Sequence, residues 1–140
     1  MVQSNVSFNK RKGTLRGMHF LVAPYREAKL VRCSRGAIFD VITDLRPDSP
    51  TYTRWYGVDL TSDNDKMFFV PEGFAHGFQT LEDDTEVTYQ MSEFYTPNTE
   101  AGLPYNDPAF AIPWPLAVEV ISAKDQEWPA FERSPGERAK

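Results

Sequence analysis

The chain has 140 residues, 41% of them hydrophobic, with a formal charge of −5 and a pI near 5.0: one ordinary domain around a single core, without the basic stripe a nucleic-acid partner needs. A lone cysteine, Cys33, excludes an intrachain disulfide framework and suits a reducing compartment. No stretch reaches the roughly 18 apolar residues of a membrane span and the first residues hold no signal-peptide core, so a soluble cytoplasmic protein without a membrane partner is expected.

In chain order, the basic run at 10–12 reads as a solvated turn. It leads into "GTLRGMHFL", which sets Arg16, Gly17 and one of only two histidines, His19, within nine residues. From 28 to 92 come short runs rich in Val, Ile, Phe, Tyr and Thr: "AKLVRCS", "AIFDVITDL", "TRWYGVDL", "KMFFVP", "GFQTL" and "EVTYQMSEFY". The joints "SRG", "RPDSP", "TSDND", "PEG" and "EDD" favour tight reversal, and no interval sustains a helical apolar period. Short strands at this spacing predict an all-β sandwich or barrel. Alternation in "EVTYQM" sets Val87, Tyr89 and Met91 on one face, with Tyr89 turned inward and its hydroxyl seeking a polar partner. Neither face of "AIFDVITDL" is wholly polar, which suits a strand packed on both sides. Beyond Tyr95, prolines at 97, 104, 108, 113 and 115 exclude any long helix. Tyr105, Phe110 and Trp114 would anchor this segment as an ordered wrap. One domain is expected over 1–131, followed by a charged, frayed tail over 132–140.

The two histidines sit in unlike settings. His76, in "PEGFAHGF", follows a Pro-x-Gly turn in a pattern that resembles the second signature of the cupin superfamily, small double-stranded β-helix barrels. Metal cupins gather three histidines and a Glu; two histidines and no His-x-His cannot build that set. His76 is thus either a hydrogen-bonded barrel histidine or a chemical group. His19 has Arg16 three residues before it, to hold an anion, and Gly17 between, to admit a ligand close to the backbone. It reads as a surface histidine or as a base. A base near neutral pH wants an orienting carboxylate, and inversion at carbon wants an acid on the opposite face. Asp107 and Asp125 are candidate carboxylates between which spacing does not choose, and Tyr89 is a candidate acid.

Eight segments in order, "GTLRGMHF", "KLVRC", "IFDVITDLRPDSPTY", "PEGFAHGFQTL", "TYQMSEFYTP", "NDPAF", "WP" and "SAKD", closely resemble the dTDP-4-dehydrorhamnose 3,5-epimerase family over residues 3–128. The resemblance implies a cupin-like jelly-roll barrel with short C-terminal irregular or helical segments. It also implies a metal-independent, cofactor-free homodimer that inverts the carbons flanking the ketone of a dTDP-linked 4-keto-6-deoxysugar. It makes His19 the general base, Asp125 its carboxylate partner and Tyr89 the opposing acid. Tyr95, the second tyrosine of Tyr-x-x-x-x-x-Tyr-x-Pro, is implied to be structural. Lys29 is implied to lie near the keto oxygen, Arg16 at the charged part of the substrate, and His76 within the site; Gln3 and Asn5 match substrate-binding positions.

Two positions depart from the pattern, Leu21 in place of a glutamine and Val6 in place of a histidine. Family members also begin earlier, with a strand and an "RG-x-F" segment that crosses to a partner subunit. Its loss would expose sheet edge and apolar surface for another chain to cover. A non-catalytic sugar-nucleotide binding protein is the alternative these departures raise, and a metal-dependent cupin enzyme a third.

Overall fold

The computed structural model describes residues 1–132, so all but the first residue of the expected tail at 132–140 lies outside the described residues. The strands in order are β1 (Gln3–Asn9), β2 (Thr14–Leu21), β3 (Lys29–Arg35), β4 (Ala37–Asp44), β5 (Trp55–Thr61), β6 (Met67–Val70), β7 (Phe74–Thr80), β8 (Thr85–Met91), β9 (Glu100–Gly102) and β10 (Val120–Ile121). A single short helix, α1 (Ala123–Gln126), follows among the described residues. One sheet runs β1-β8-β3-β6; the other runs β10-β2-β7-β4-β5, with β9 also on β2. Every pairing is antiparallel except β10 with β2. These two facing sheets are the all-β architecture the strand pattern predicts, in the jelly-roll form the resemblance implies.

All six strands expected between 28 and 92 form, though "GFQTL" is only the end of β7 and "EVTYQMSEFY" leaves the sheet after Met91. The Pro-x-Gly turn before β7 works as its chemistry requires, with Gly73 at φ +88°, where a side chain would be strained. The barrel interior holds Val31, Cys33 and Val87 from one sheet against Ile38, Ile42, Leu60 and Phe78 from the other. A second apolar layer lies on the outer face of the larger sheet. There Met18, Val41 and Ala75 are covered by Leu103, Phe110, Ile112, Trp114 and Phe131. The Pro-rich segment is therefore an ordered wrap, and β4 is buried on both faces because it lies between the two layers. Tyr105 serves the wrap through its carbonyl, which accepts the Trp114 indole N–H at 2.7 Å. No helix of the described residues is long and apolar enough to cross a membrane.

Candidate active site

The wrap also delivers a carboxylate. β10 runs parallel to β2, with Val120 opposite Thr14 and Ile121 opposite Leu15. Ser122 then caps α1 by accepting the Asp125 backbone N–H at 3.1 Å. This turn sets Asp125 beside the next residues of the same strand. Its Oδ2 accepts the Gly17 N–H at 3.1 Å, and its Oδ1 lies 2.6 Å from His19 Nε2 and accepts the Trp128 indole N–H at 2.9 Å. Burial alone would push this carboxyl up. The hydrogen bond and charge of His19, then the Gly17 and Trp128 donors, outweigh it and hold the pKa at about 2. Asp125 is thus ionised at neutral pH and can only accept, so the hydrogen resides on His19 Nε2 and Nδ1 is the basic nitrogen. Trp128 meets the imidazole edge-on at 6.1 Å. Of the two carboxylates that spacing left open, Asp125 is the one at His19. Asp107 instead accepts the backbone N–H groups of Ala109 and Phe131 in the wrap.

Strict alternation would put Arg16 and His19, an odd number of residues apart, on opposite faces of β2. The register of β2 against β7 shifts between them, so both line one cleft. Backbones approach closely here: a Cβ on Gly77 would lie 2.6 Å from Met18 Sδ and 2.8 Å from the Arg16 carbonyl. Arg16 is exposed and donates to Asn9 Oδ1 at 2.6 Å.

The cleft has a volume of about 560 Å³. Its other wall is the inner face of the four-stranded sheet, where Tyr89 lies opposite Asn5 on one side and Val31 on the other. Burial raises the Tyr89 pKa, against the lowering effect of the Asn5 hydrogen bond and the Arg16 charge, so the phenol keeps its proton. Gln3 and Lys29 both flank Met91 in the neighbouring row, and both reach the cleft. Lys29 Nζ is 3.9 Å from Glu27 Oε2, both side chains being largely buried. Glu27 is itself raised, by burial first, with Lys29 opposing and Glu100 and Glu93 adding. At the mouth, Lys124 is paired with Glu100 at 2.8 Å.

The structure thus brings His19, Asp125, Tyr89, Arg16, Lys29, Gln3, Asn5 and His76 to one place, Asp125 lying directly behind His19. Tyr95 stands at the rim, 77% exposed, with its backbone N–H donated to Gln3 Oε1. Leu21 lines the cleft, whereas Val6 points out of the barrel, 63% exposed. The two departures from the family pattern therefore differ in kind: only Leu21 alters the lining.

The pattern that defines the dTDP-4-dehydrorhamnose 3,5-epimerase family matches residues 1–133. The chain belongs to this family. It is 44% identical over 132 residues to the dTDP-4-dehydrorhamnose 3,5-epimerase of Sinorhizobium fredii, covering 94% of this chain and 68% of that one. The Bacillus anthracis epimerase, solved with TDP and PPi bound, superposes with a TM-score of 0.90 at 45% identity, over 93% of this chain and 74% of that one. The Legionella pneumophila enzyme, solved with dTDP-4-keto-L-rhamnose, gives 0.87 at 40% identity, over 92% and 68%.

Three residues of this epimerase escape a reading by sequence. Trp128 holds Asp125, Glu27 flanks Lys29, and Asp40 lies 2.6 Å from His76. Asp40 alone had a usable signal: an acid in the middle of an apolar strand needs a buried partner.

Proposed function

We propose that the protein inverts C3, C5 or both of a dTDP-4-keto-6-deoxyhexose, in the making of dTDP-L-rhamnose-type deoxysugars. One observation carries this reading: an imidazole–carboxylate dyad and a protonated phenol occupy opposite walls of one cleft. His19 Nδ1 takes the proton from the carbon next to the ketone, and Asp125 stabilises the imidazolium that forms. The Lys29 ammonium stabilises negative charge as it develops on the enolate oxygen. Tyr89 returns a proton from the opposite face, so configuration inverts; the base and acid recover their starting states by exchange with water. Arg16, at the cleft's exposed edge, suits the diphosphate. The ligand of the Legionella relative supports the substrate class. Nothing at the site favours a non-catalytic binding protein.

This reading includes a cytoplasmic homodimer. The outer face of the four-stranded sheet exposes Val6, Phe8, Met67 and Phe69 by half or more each, a surface suited to a second copy. The test is incubation with dTDP-4-keto-6-deoxyglucose in D₂O, followed by NMR. Deuterium is expected at C3, C5 or both, with inverted products; a folded protein that exchanges neither position refutes the proposal.

A further inference from the structure

The strand beyond His76 carries an acid that this chemistry leaves unused. Asp40 is fully buried, and Ile38 and Ile42, on its face of β4, belong to the apolar barrel interior with Phe78. Its Oδ1 lies 2.6 Å from His76 Nε2, while its Oδ2 has no hydrogen-bond partner among the described residues. A buried carboxylate with half its acceptor capacity idle is a costly way to fill a core, and an apolar side chain of similar size would fill it more cheaply. Stability therefore does not account for Asp40.

Its one partner among the described residues does. His76 is the register partner of His19 across β2 and β7, and both rings line the cleft. A ring that donates its Nε2–H to Asp40 Oδ1 across this 2.6 Å contact leaves Nδ1 as its acceptor nitrogen. Nδ1 has no protein hydrogen bond and is not among the buried unpartnered atoms, so it is the ring nitrogen left to meet a ligand.

We propose that Asp40 is a positioning residue: it fixes the ring orientation and tautomer of His76, so that an unprotonated Nδ1 accepts a hydrogen bond from a hydroxyl of the bound sugar. The cleft then contains two dyads built alike on adjacent strands, one to take protons and one to hold the sugar. The inference rests on the epimerase reading above.

Two substitutions separate function from stability. Asp40→Leu removes the acceptor and completes the apolar interior; Asp40→Asn keeps an acceptor of the same shape. The Leu variant is expected to be at least as resistant to denaturation as wild type, yet to lose about 10- to 100-fold in kcat/KM, by analogy with the loss seen when the partner that orients a metal-bound histidine is removed. The Asn variant is expected to recover part of that loss. In a His76→Ala background, Asp40→Leu should cost nothing further. ¹⁵N-resolved NMR should detect the His76 Nε2–H in wild type and lose it in the Leu variant. That signal needs no turnover, so its persistence in Asp40→Leu overturns the proposal even where the wild type fails to exchange deuterium and the epimerase reading itself falls. Wild-type kcat/KM in Asp40→Leu, or an equal further loss without His76, also overturns it. Should the Leu variant fail to fold, a fully active Asn variant in which the Nε2–H signal is lost does the same.

Discussion

Replacing Asp125 by asparagine tests the dyad most directly, because the change keeps shape and removes only charge and one acceptor oxygen. In wild type the carboxylate accepts from His19, Gly17 and Trp128, and its side chain is 6% exposed. Burial raises its pKa and these partners lower it further, from the ordinary 3.8 to about 2. That displacement corresponds to about 2 kcal/mol favouring the folded, ionised form. Because the folded value is the lower one, the contribution is complete above the unfolded value and is lost as pH falls through the folded one. Asp125→Asn should therefore unfold with about 2 kcal/mol less stability at neutral pH. The gap should narrow below about pH 4 and nearly close at about pH 2, where the wild-type carboxyl is itself half protonated. Urea denaturation of both proteins across this range measures it. In the deuterium assay the variant should lose about 10²-fold or more in kcat, since His19 loses both its orientation and the charge that favours its protonated form. A stability gap that stays constant down to pH 2, or a neutral-pH gap near zero, would refute the electrostatic account; an unchanged kcat would refute the catalytic one.

Tyr89→Phe removes the proposed acid and leaves the base in place, so inversion should fall by about 10²-fold or more while His19 still exchanges the substrate's proton for deuterium with retention. NMR of substrate and product separates the two, and wild-type inversion would remove Tyr89 from the role. Gly102→Ala strikes the site from behind: the new methyl would collide with the Trp128 indole, which donates to Asp125. Strain of about 1–3 kcal/mol is expected, with a shift in tryptophan fluorescence and a fall in kcat; an unshifted spectrum with full activity would mean that Trp128 does not hold Asp125.

The middle of the fold is legible because turn chemistry and β-branched runs agree from 28 to 92. The first two strands are not, and the reason is the site itself. β1 turns Gln3, Asn5 and Ser7 toward the cleft and leaves Val6 and Phe8 exposed. Its polarity is inverted relative to an ordinary half-buried strand, because the barrel end it lines is built to hold a polar ligand. β2 hides differently. Gly17 and the register shift break its alternation, so Arg16 and His19 share a cleft that a period of two would deny them.

The same logic separates the dyad that resemblance implies from the one it does not assign. Asp125 lies 106 residues from His19, and no spacing argument spans that distance; the meeting depends on β10 lying parallel to β2 and on the capped turn after it. Asp40 lies nearer to His76, yet "AIFDVITDL" reads as a strand buried on both faces, and its aspartate looks like one polar letter in an apolar run. In a barrel interior that letter is the anomaly. Asp44, the strand's other acid, is held well below the usual carboxylate range: against its burial it gains hydrogen bonds from Arg46, Ser49 and Thr51. Among the described residues Asp40 has only His76. An acid satisfied by its own loop stabilises that loop, whereas an acid whose sole partner faces a ligand acts through that partner.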